Sequence, residues 1–332
     1  MGSLPHVVED CQGILQVYND GSIVRSDDIA FNIPVHDDGS VVWKDCLYDK
    51  PNNLYLRLYK PAVAVNSSPL PLPVVFFIHG GGFCVGSRTW PNCQNCCLRL
   101  SSGLHALVLA PDYRLAPEHR LPAAILDSLN AFKWLQAQAA SAGSGATREI
   151  HEPWLRNGGV DFERVFIVGD SSGGNIAHHM AVELGSGSTD MGPVRVRGHV
   201  LMAPFFGGTA RTRSEAEGPP EQLLNLDILD RFWRLSLPVG ETADHPFANP
   251  FGPLSLQLEP LAFDPILVMV GGSELLKDRV HDYAARLQKL GKTVDYVELE
   301  GQQHGFFTNE PFSPLANTVL QLLRNFMAAN SN

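Results

Sequence analysis

Residues 165–177 read Val-Phe-Ile-Val-Gly-Asp-Ser-Ser-Gly-Gly-Asn-Ile-Ala, a run that predicts a buried strand, a tight turn and the start of a helix. The turn contains Gly169-x-Ser171-x-Gly173, whose glycines let the serine hydroxyl project from the strand end beside the positive end of the helix. The alternative is an ordinary Gly/Ser-rich turn in which Ser171 caps the helix. Because a strand and a helix flank the motif, the sequence favours Ser171 as a nucleophile.

Eight strand-like runs recur along the chain, and the turn at Ser171 ends the fifth of them. Helical patterns separate the later runs but not the early ones, which predicts a sheet with an antiparallel beginning and a mostly parallel remainder. The order predicts an α/β-hydrolase fold, in which an eight-stranded, mostly parallel sheet is flanked by helices. The strand-like runs span 41–48, 54–59, 74–79, 106–113, 165–170, 200–204, 266–270 and 294–299, and the helical patterns span 122–135, 174–184, 278–290 and 314–327.

Two segments do not belong to this alternation. The first runs to about residue 39 and contains Asp20-Gly21 between alternating apolar residues, which predicts a hairpin. The second, after the sixth strand, carries four large apolar residues at helical spacing. We therefore expect a single domain over residues 1–332, with cap elements at about 1–39 and 207–251. The four apolar residues of the second segment are Leu226, Leu229, Phe232 and Trp233.

The charge balance excludes a nucleic-acid partner. The chain has 25 Lys and Arg against 35 Asp and Glu, a net charge of -10 that would repel a phosphate backbone. Its start carries no basic leader, and no run approaches the roughly 20 apolar residues of a membrane span. We expect no membrane partner, a location in the cytoplasm with the nucleus also open to the protein, and a small uncharged substrate.

The six cysteines predict neither disulfides nor a metal site. In a chain of this length outside an oxidising compartment, reduced thiols are expected. Cys93, Cys96 and Cys97 form a cluster, but no second pair of Cys or His at a suitable spacing completes a zinc site. We expect no metal, and small buried apolar roles for these side chains.

Three glycines follow the apolar strand that ends at His79. An ester attacked by serine develops a negative oxygen, and one backbone donor to it is typically worth about 3 kcal/mol. We assign the amides of Gly81 and Gly82, together with that of Ser172 after the nucleophile, to this oxyanion hole. His79 is interpreted as a hydrogen bonder that holds the loop rather than as the base.

The expected chain order of serine, carboxylate and histidine selects the remaining catalytic candidates. His304 lies just past the last strand-like run and before the final helix, where the base of this fold is found. After the seventh strand, Glu274 and Asp278 are both candidates for the acid. Glu274 is nearer the strand end, whereas a carboxylate at the start of a helix, such as Asp278, is favoured there in any case. We favour Glu274 and keep Asp278 open.

Four motifs are spread along most of the chain: His79-Gly-Gly-Gly82, Asp112-Tyr-Arg-Leu-Ala-Pro-Glu-His119, Gly169-Asp-Ser-Ser-Gly-Gly-Asn175 and His304-Gly-Phe306. Together they resemble the plant carboxylesterases of the hormone-sensitive-lipase group. That group usually has Asp-x-Leu-x-Asp after the seventh strand, and Glu274 takes the place of its first, catalytic aspartate. Further runs resemble the strigolactone-inactivating members: Met1-Gly-Ser-Leu-Pro5, Lys50-Pro-Asn-Asn-Leu54, Phe232-Trp-Arg-Leu-Ser-Leu-Pro238 and Gly271-Gly-Ser-Glu-Leu-Leu276.

The resemblance implies a substrate and a reaction. Ser171 would attack the butenolide lactone carbonyl of a strigolactone, expel the enol-ether fragment, and leave an acyl-enzyme for water activated by His304. No cofactor is implied. Because this substrate is apolar and drug-sized, we expect a pocket lined by aromatic side chains. The candidates, each of which could equally belong to the core, are Phe83, Phe205, Phe206, Trp233 and Phe306.

Three other functions fit the same motifs less completely. Gibberellin receptors resemble this group but have lost the triad histidine, whereas His304 is present here. Dehydratases that resemble it can carry threonine where Ser171 stands. A general esterase for short-chain or xenobiotic esters is the most serious alternative, because its chemistry is identical and only the pocket differs.

Overall fold

The computed structural model describes residues 4–26, 33–62, 71–142, 152–155, 159–187, 192–219 and 224–331. The two predicted cap segments are therefore described except for residues 1–3, 27–32 and 220–223.

A small antiparallel sheet opens the chain. Its order is β1 (Val7–Cys11), β2 (Leu15–Tyr18) and β3 (Ile23–Arg25). The predicted hairpin at Asp20-Gly21 joins β2 to β3 and is confirmed: the N–H of Tyr18 donates to the carbonyl of Ser22 at 2.9 Å.

The eight predicted strands form one sheet, with the order β11-β10-β9-β8-β6-β7-β5-β4. Strand β5 pairs antiparallel with both β4 and β7, and the remaining pairs are parallel, which confirms the predicted α/β-hydrolase fold. The strands are β4 (Val41–Asp49), β5 (Leu54–Pro61), β6 (Leu72–Ile78), β7 (Leu107–Pro111), β8 (Val160–Asp170), β9 (Val196–Met202), β10 (Ile266–Gly271) and β11 (Val294–Leu299).

Helices cover both faces of this sheet. Alternate side chains along β6 enter opposite layers: Phe76 joins the layer under α2, α3 and α6, whereas Phe77 joins the layer under α1 and α7. Buried runs of β6, β7, β8 and β10 are apolar on both sides for this reason. The helices are α1 (Pro91–Leu104), α2 (Ala123–Ala142), α3 (Ser172–Gly185), α4 (Arg213–Glu217), α5 (Leu226–Ser236), α6 (Lys277–Lys289) and α7 (Pro314–Ala329).

Helix α1 is the main element that sequence reasoning did not predict. Its residues Asn92, Gln94, Asn95 and Ser101 are polar yet buried, so the apolar residues do not recur at a clean helical period. The thiols of α1, at Cys93, Cys96 and Cys97, are free and buried in the same interface. Among the described helices, none is both long and apolar enough to cross a membrane.

The two irregular segments lie side by side. Helices α4 and α5 follow β9, and Glu9 on β1 forms ion pairs at 2.8 Å with Arg231 and Arg234 of α5. On the other edge of the small sheet, Arg25 forms a 2.6 Å ion pair with Glu118 and donates to the carbonyl of Cys84 at 2.8 Å. The N-terminal sheet is thereby held between α5 and the loop that follows the three glycines.

Candidate active site

Ser171 stands in a strained turn between β8 and α3. Its φ of 55° and ψ of -117° lie outside the regions that most residues adopt, as in a nucleophile elbow. It occupies the N-cap position of α3, but its side chain makes no capping hydrogen bond, so the helix-cap alternative is not what the structure shows. A Cβ on Gly169 would overlap the carbonyl of Gly173, and one on Gly173 would overlap that of Ile78. Both flanking positions therefore require glycine.

His304 lies between β11 and α7 and faces Ser171. Its Nε2 is 2.9 Å from Ser171 Oγ, and its Nδ1 is 3.5 Å from Oε2 of Glu274. Glu274 is buried, and its Oε2 also accepts from the Gly271 amide at 3.4 Å. The His304–Glu274 separation is longer than an ordinary hydrogen bond and within the range of an ion pair. The structure brings these three predicted side chains into one line.

Asp278, the other candidate acid, has a different set of partners. Its Oδ2 accepts from the amide of Ser214 at 2.7 Å, and its own amide donates to Ser214 Oγ at 3.2 Å. These bonds join the first turn of α6 to α4. The geometry therefore places Glu274, and not Asp278, against His304.

The glycine loop after β6 borders the same site. Gly81 and Gly82 both have positive φ, at 114° and 58°, and both line the cavity that contains Ser171. A Cβ on Gly82 would overlap the ring of Phe232, so side chains are excluded here. The amide of Ser172 is at the first position of α3 and has no acceptor within the helix. Donors on two loops are thus available near Ser171.

His79 holds this glycine loop, as the sequence predicts. Its Nδ1 lies 2.7 Å from the carbonyl of Gly80, and its ring stacks on Tyr113 with centroids 4.3 Å apart. The Tyr113 hydroxyl donates to the carbonyl of His79 at 3.0 Å and lies 3.4 Å from Ser172 Oγ. Burial lowers the pKa of His79, which keeps its ring neutral. Tyr113 therefore connects the glycine loop to the serine turn.

Asp170, immediately before Ser171, is the one aspartate among the described residues that line the cavity. Burial raises the pKa of its carboxyl to about 6, although the charge of His304 acts in the opposite direction. Sequence reasoning did not assign Asp170 a role, because its position in the motif does not reveal how deeply it is buried.

The rest of the cavity wall is mainly apolar. Its described residues include no lysine, arginine or glutamate, so the ionisable groups there are Asp170, His79, His304 and two thiols. The β1–β2 turn, α5 and the residues before α5 supply much of the wall. Such a surface suits an uncharged, apolar ligand. The apolar side chains are Ile14, Val85, Trp90, Phe205, Leu224, Ile228 and Phe232.

Of the five aromatic residues expected to contact substrate, the structure places Phe205 in the wall. Phe83 is buried beside Trp233, with ring centroids 5.7 Å apart, and Phe206 packs against Tyr283 at 4.6 Å. Phe306 belongs to the layer under α1 and α7. Phe83, Phe206, Trp233 and Phe306 are buried and are not among the described residues that line the cavity, which favours the alternative of core packing for these four.

Phe232 and Trp90 are aromatic wall residues that sequence reasoning overlooked, and Phe232 is the one for which the sequence held a signal. It precedes Trp233 on α5, and Ile228 lies one turn earlier on the same face. The spacing of Ile228 and Phe232, four residues apart on one helix face, was the sequence signal that could have predicted a shared surface. The wall residues Cys11, Gln12 and Ile14 had no such signal, because a turn between two short strands has no face that can be assigned from spacing.

Comparisons with known proteins agree with this geometry. A family model described as alpha/beta hydrolase fold matches residues 75–308. Carboxylesterase 20 of Arabidopsis thaliana is 33% identical over 340 residues, which cover 98% of each chain. Probable carboxylesterase 6 of the same plant is 35% identical, over 82% of this chain and 77% of that relative. The gibberellin receptor GID1C, also from Arabidopsis thaliana, is 36% identical over 79% of this chain and 74% of its own.

A solved structure shows the same similarity in three dimensions. An esterase from Pyrobaculum calidifontis superposes with a TM-score of 0.70 at 28% identity, covering 91% of this chain and 88% of that one.

Proposed function

Because the chain belongs to the α/β-hydrolase fold family and is a carboxylic ester hydrolase, we propose that Ser171, His304 and Glu274 are its catalytic triad and that its substrate is a strigolactone. The observation that carries the triad is the 2.9 Å contact between His304 Nε2 and Ser171 Oγ.

In the proposed acylation step, Ser171 Oγ attacks the ester carbonyl carbon while His304 Nε2 accepts the hydroxyl proton. The tetrahedral intermediate places a negative oxygen where the amides of Gly81, Gly82 and Ser172 can donate to it. The bond to the leaving oxygen then breaks, and that oxygen takes the proton from His304. An acyl-enzyme remains on Ser171.

Deacylation repeats the sequence with water as the nucleophile. His304 takes a proton from water, the hydroxide attacks the acyl carbon, and Ser171 Oγ leaves with the returned proton. Glu274 holds the Nδ1 proton of His304, so that Nε2 is free to accept, and it stabilises the imidazolium. The required residues belong to the chain itself, and no cofactor enters the proposed reaction.

The substrate proposal rests on two supports. The apolar wall with few ionisable groups suits an uncharged, drug-sized ester or lactone. The resemblance of this chain's motifs to strigolactone-inactivating carboxylesterases favours a butenolide. Attack at the lactone carbonyl would break the bond between the acyl carbon and the ring oxygen. The freed hemiacetal oxygen would then form an aldehyde as the bond from the acetal carbon to the enol-ether oxygen breaks, and that fragment would leave as an enol with the proton from His304. We further propose that the N-terminal sheet and the α4–α5 segment act as the cap of a single domain, and that the protein works in the cytoplasm.

A general carboxylesterase is the second candidate function. The relatives named carboxylesterases support it, and its chemistry at Ser171 would be the same. Some relatives are named gibberellin receptors, which makes a binding protein the third candidate. The contact between Ser171 and His304 favours catalysis over binding alone. A serine at this position likewise favours hydrolysis over dehydration.

The experiment compares the wild-type protein with Ser171→Ala on p-nitrophenyl acetate and on a synthetic strigolactone. We expect the wild type to hydrolyse both and the variant to hydrolyse neither. Turnover that persists in the variant would refute the triad. If the enzyme hydrolyses p-nitrophenyl acetate but leaves the strigolactone intact, the strigolactone proposal is refuted and the general-esterase function remains.

A further inference from the structure

One part of the cavity wall is polar and is not used by the proposed triad. Asn92, at the start of α1, and Asn309, in the loop after His304, both line the cavity. Their side chains meet across 217 residues of chain, with Asn92 Nδ2 donating to Asn309 Oδ1 at 3.1 Å. Asn92 is buried, with 8% of its surface exposed. This amide pair joins α1 to the segment that carries the proposed base.

The hydrogen bonds determine which way each amide points. Asn92 Oδ1 accepts from the backbone N–H of Cys93 at 2.9 Å, so the Asn92 amide nitrogen must be the atom that faces Asn309. The Asn92 amide nitrogen can only donate, so the atom of Asn309 that accepts from it must be the side-chain oxygen. The Nδ2 group of Asn309 is therefore turned away from Asn92. Within the described part of the chain, that Nδ2 has no acceptor.

The position of Asn309 Nδ2 relative to the site follows from Gly305. A Cβ on Gly305 would overlap Asn309 Nδ2, so the amide nitrogen occupies the space that this glycine leaves empty. Gly305 has a φ of 77°, lies next to His304 and lines the same cavity. The backbone N–H of Asn309 donates to the carbonyl of Gly305 at 3.0 Å, which fixes the loop. The donor is thus held beside the proposed base.

We propose that Asn309 Nδ2 is a specificity-determining hydrogen-bond donor for a second oxygen of the substrate, beyond the scissile ester. When an alkyl ester fills the apolar cavity, the N–H donor of Asn309 loses its hydrogen bonds to water and gains no partner. When the ligand carries an ether or carbonyl oxygen at that place, the donor gains a hydrogen bond. The enzyme should accordingly prefer esters and lactones with an additional acceptor. The inference rests on the proposed function only in taking the cavity at Ser171 as the ester-binding site.

The test uses matched esters that differ by one oxygen. We compare kcat/KM for hexanoate esters with that for their γ-keto and δ-keto analogues, which carry one more carbonyl oxygen in the acyl chain. Esters with an acetyl group on the alcohol part place the added oxygen on the other side of the ester. Each ester is measured with the wild type and with Asn309→Leu. For each protein, the preference is the kcat/KM of the oxygen-bearing ester divided by that of the plain ester. Differences in intrinsic ester reactivity cancel when this preference is compared between the wild type and the variant. We expect the variant to lose roughly three- to tenfold of the preference for at least one oxygen-bearing ester. Unchanged ratios for all of them would overturn the proposal.

Two further variants separate recognition from a structural role. Asn309→Asp still accepts from Asn92 but has no donor, so it should lose the same preference. Asn92→Asp still accepts from the Cys93 amide but presents an oxygen to Asn309, which should turn the Asn309 amide over and direct its oxygen into the cavity. Preference should then move to hydroxyl-bearing esters. A purely structural role would lower the rates on all esters together, and that result would also overturn the proposal.

The matched control is Asn325→Leu, the same change at an exposed residue of α7 whose Oδ1 accepts from Gln321. This variant should show the same ratios of kcat/KM between oxygen-bearing and plain esters as the wild type. The outcome is independent of strigolactone turnover, because plain and keto hexanoates are used. Loss of all hydrolysis in Ser171→Ala tests the proposed function separately.

Discussion

His304 Nε2 lies 2.9 Å from Ser171 Oγ although the two residues are 133 positions apart in the chain. The contact depends on the sheet order, because β8 ends at the serine turn and β10 and β11 deliver Glu274 and His304 from the same sheet edge. Parallel strands end at one edge, so three loops separated in sequence converge there. The strain at Ser171 aims its hydroxyl toward that point.

Ser171 should be the residue that organophosphorus fluorides modify. Diisopropyl fluorophosphate should add one diisopropylphosphoryl group to the wild type, with loss of fluoride, and none to Ser171→Ala, because the proposed base His304 lies 2.9 Å from the Ser171 hydroxyl. Intact-protein mass spectrometry measures the adduct. As a control, Ser102→Ala on the surface of α1 should label fully. A full adduct on the Ser171→Ala protein would contradict the assignment.

Replacing each candidate acid should separate its role. Glu274→Gln should lower kcat by roughly 10⁴-fold, as loss of the carboxylate in a triad does, with little change in the free energy of unfolding. Asp278→Asn should instead retain most of kcat and lower the free energy of unfolding by about 1 kcal/mol, through its weakened bonds to Ser214. Steady-state kinetics and urea unfolding measure the two effects. A larger kcat loss at Asp278 would reverse the choice.

Phe232 and Trp233 are neighbours that should respond differently to truncation. Phe232 lines the cavity, so Phe232→Ala should lower kcat/KM for a hexanoate ester roughly tenfold more than for an acetate ester. Trp233 stacks on Phe205 at 4.6 Å in the core, so Trp233→Ala should cost about 3–5 kcal/mol of unfolding free energy. The chain-length ratio should stay near wild type in the folded Trp233 variant. The opposite pattern would restore Trp233 as a substrate contact.

Asp170 should make stability fall as pH rises. Burial raises the pKa of its carboxyl from 3.8 to about 6, so between these values the folded state binds more protons than the unfolded state. The unfolding free energy should decline across that window by up to about 3 kcal/mol and then level off above it. Asp170→Asn should remove this decline.

Urea unfolding at several pH values from about 4 to 8 measures the effect. Asp295→Asn, on the exposed side of β11, provides the matched control and should keep the slope of the wild type. If the slope is the same in Asp170→Asn and in the wild type, another group is responsible.

The local pattern of apolar residues and glycines was sufficient to predict the strands of the sheet and the turn that contains Ser171. Alternating or continuous apolar runs predicted the eight strands, since a strand in a buried sheet must present apolar side chains to the layers on its faces. Helix α1 was missed because several of its buried side chains are amides, which find partners only in the folded protein, such as Asn92 with Asn309.

The sequence by itself determined the fold, the order of serine, carboxylate and histidine, and the positions where only glycine fits. These follow from neighbouring residues, whose spacing constrains the backbone. The tertiary structure alone decided which carboxylate meets His304, that Phe232 and not Trp233 borders the cavity, and how the amide of Asn309 points. Each depends on the direction of a side chain relative to residues far away in the chain, and packing sets that direction.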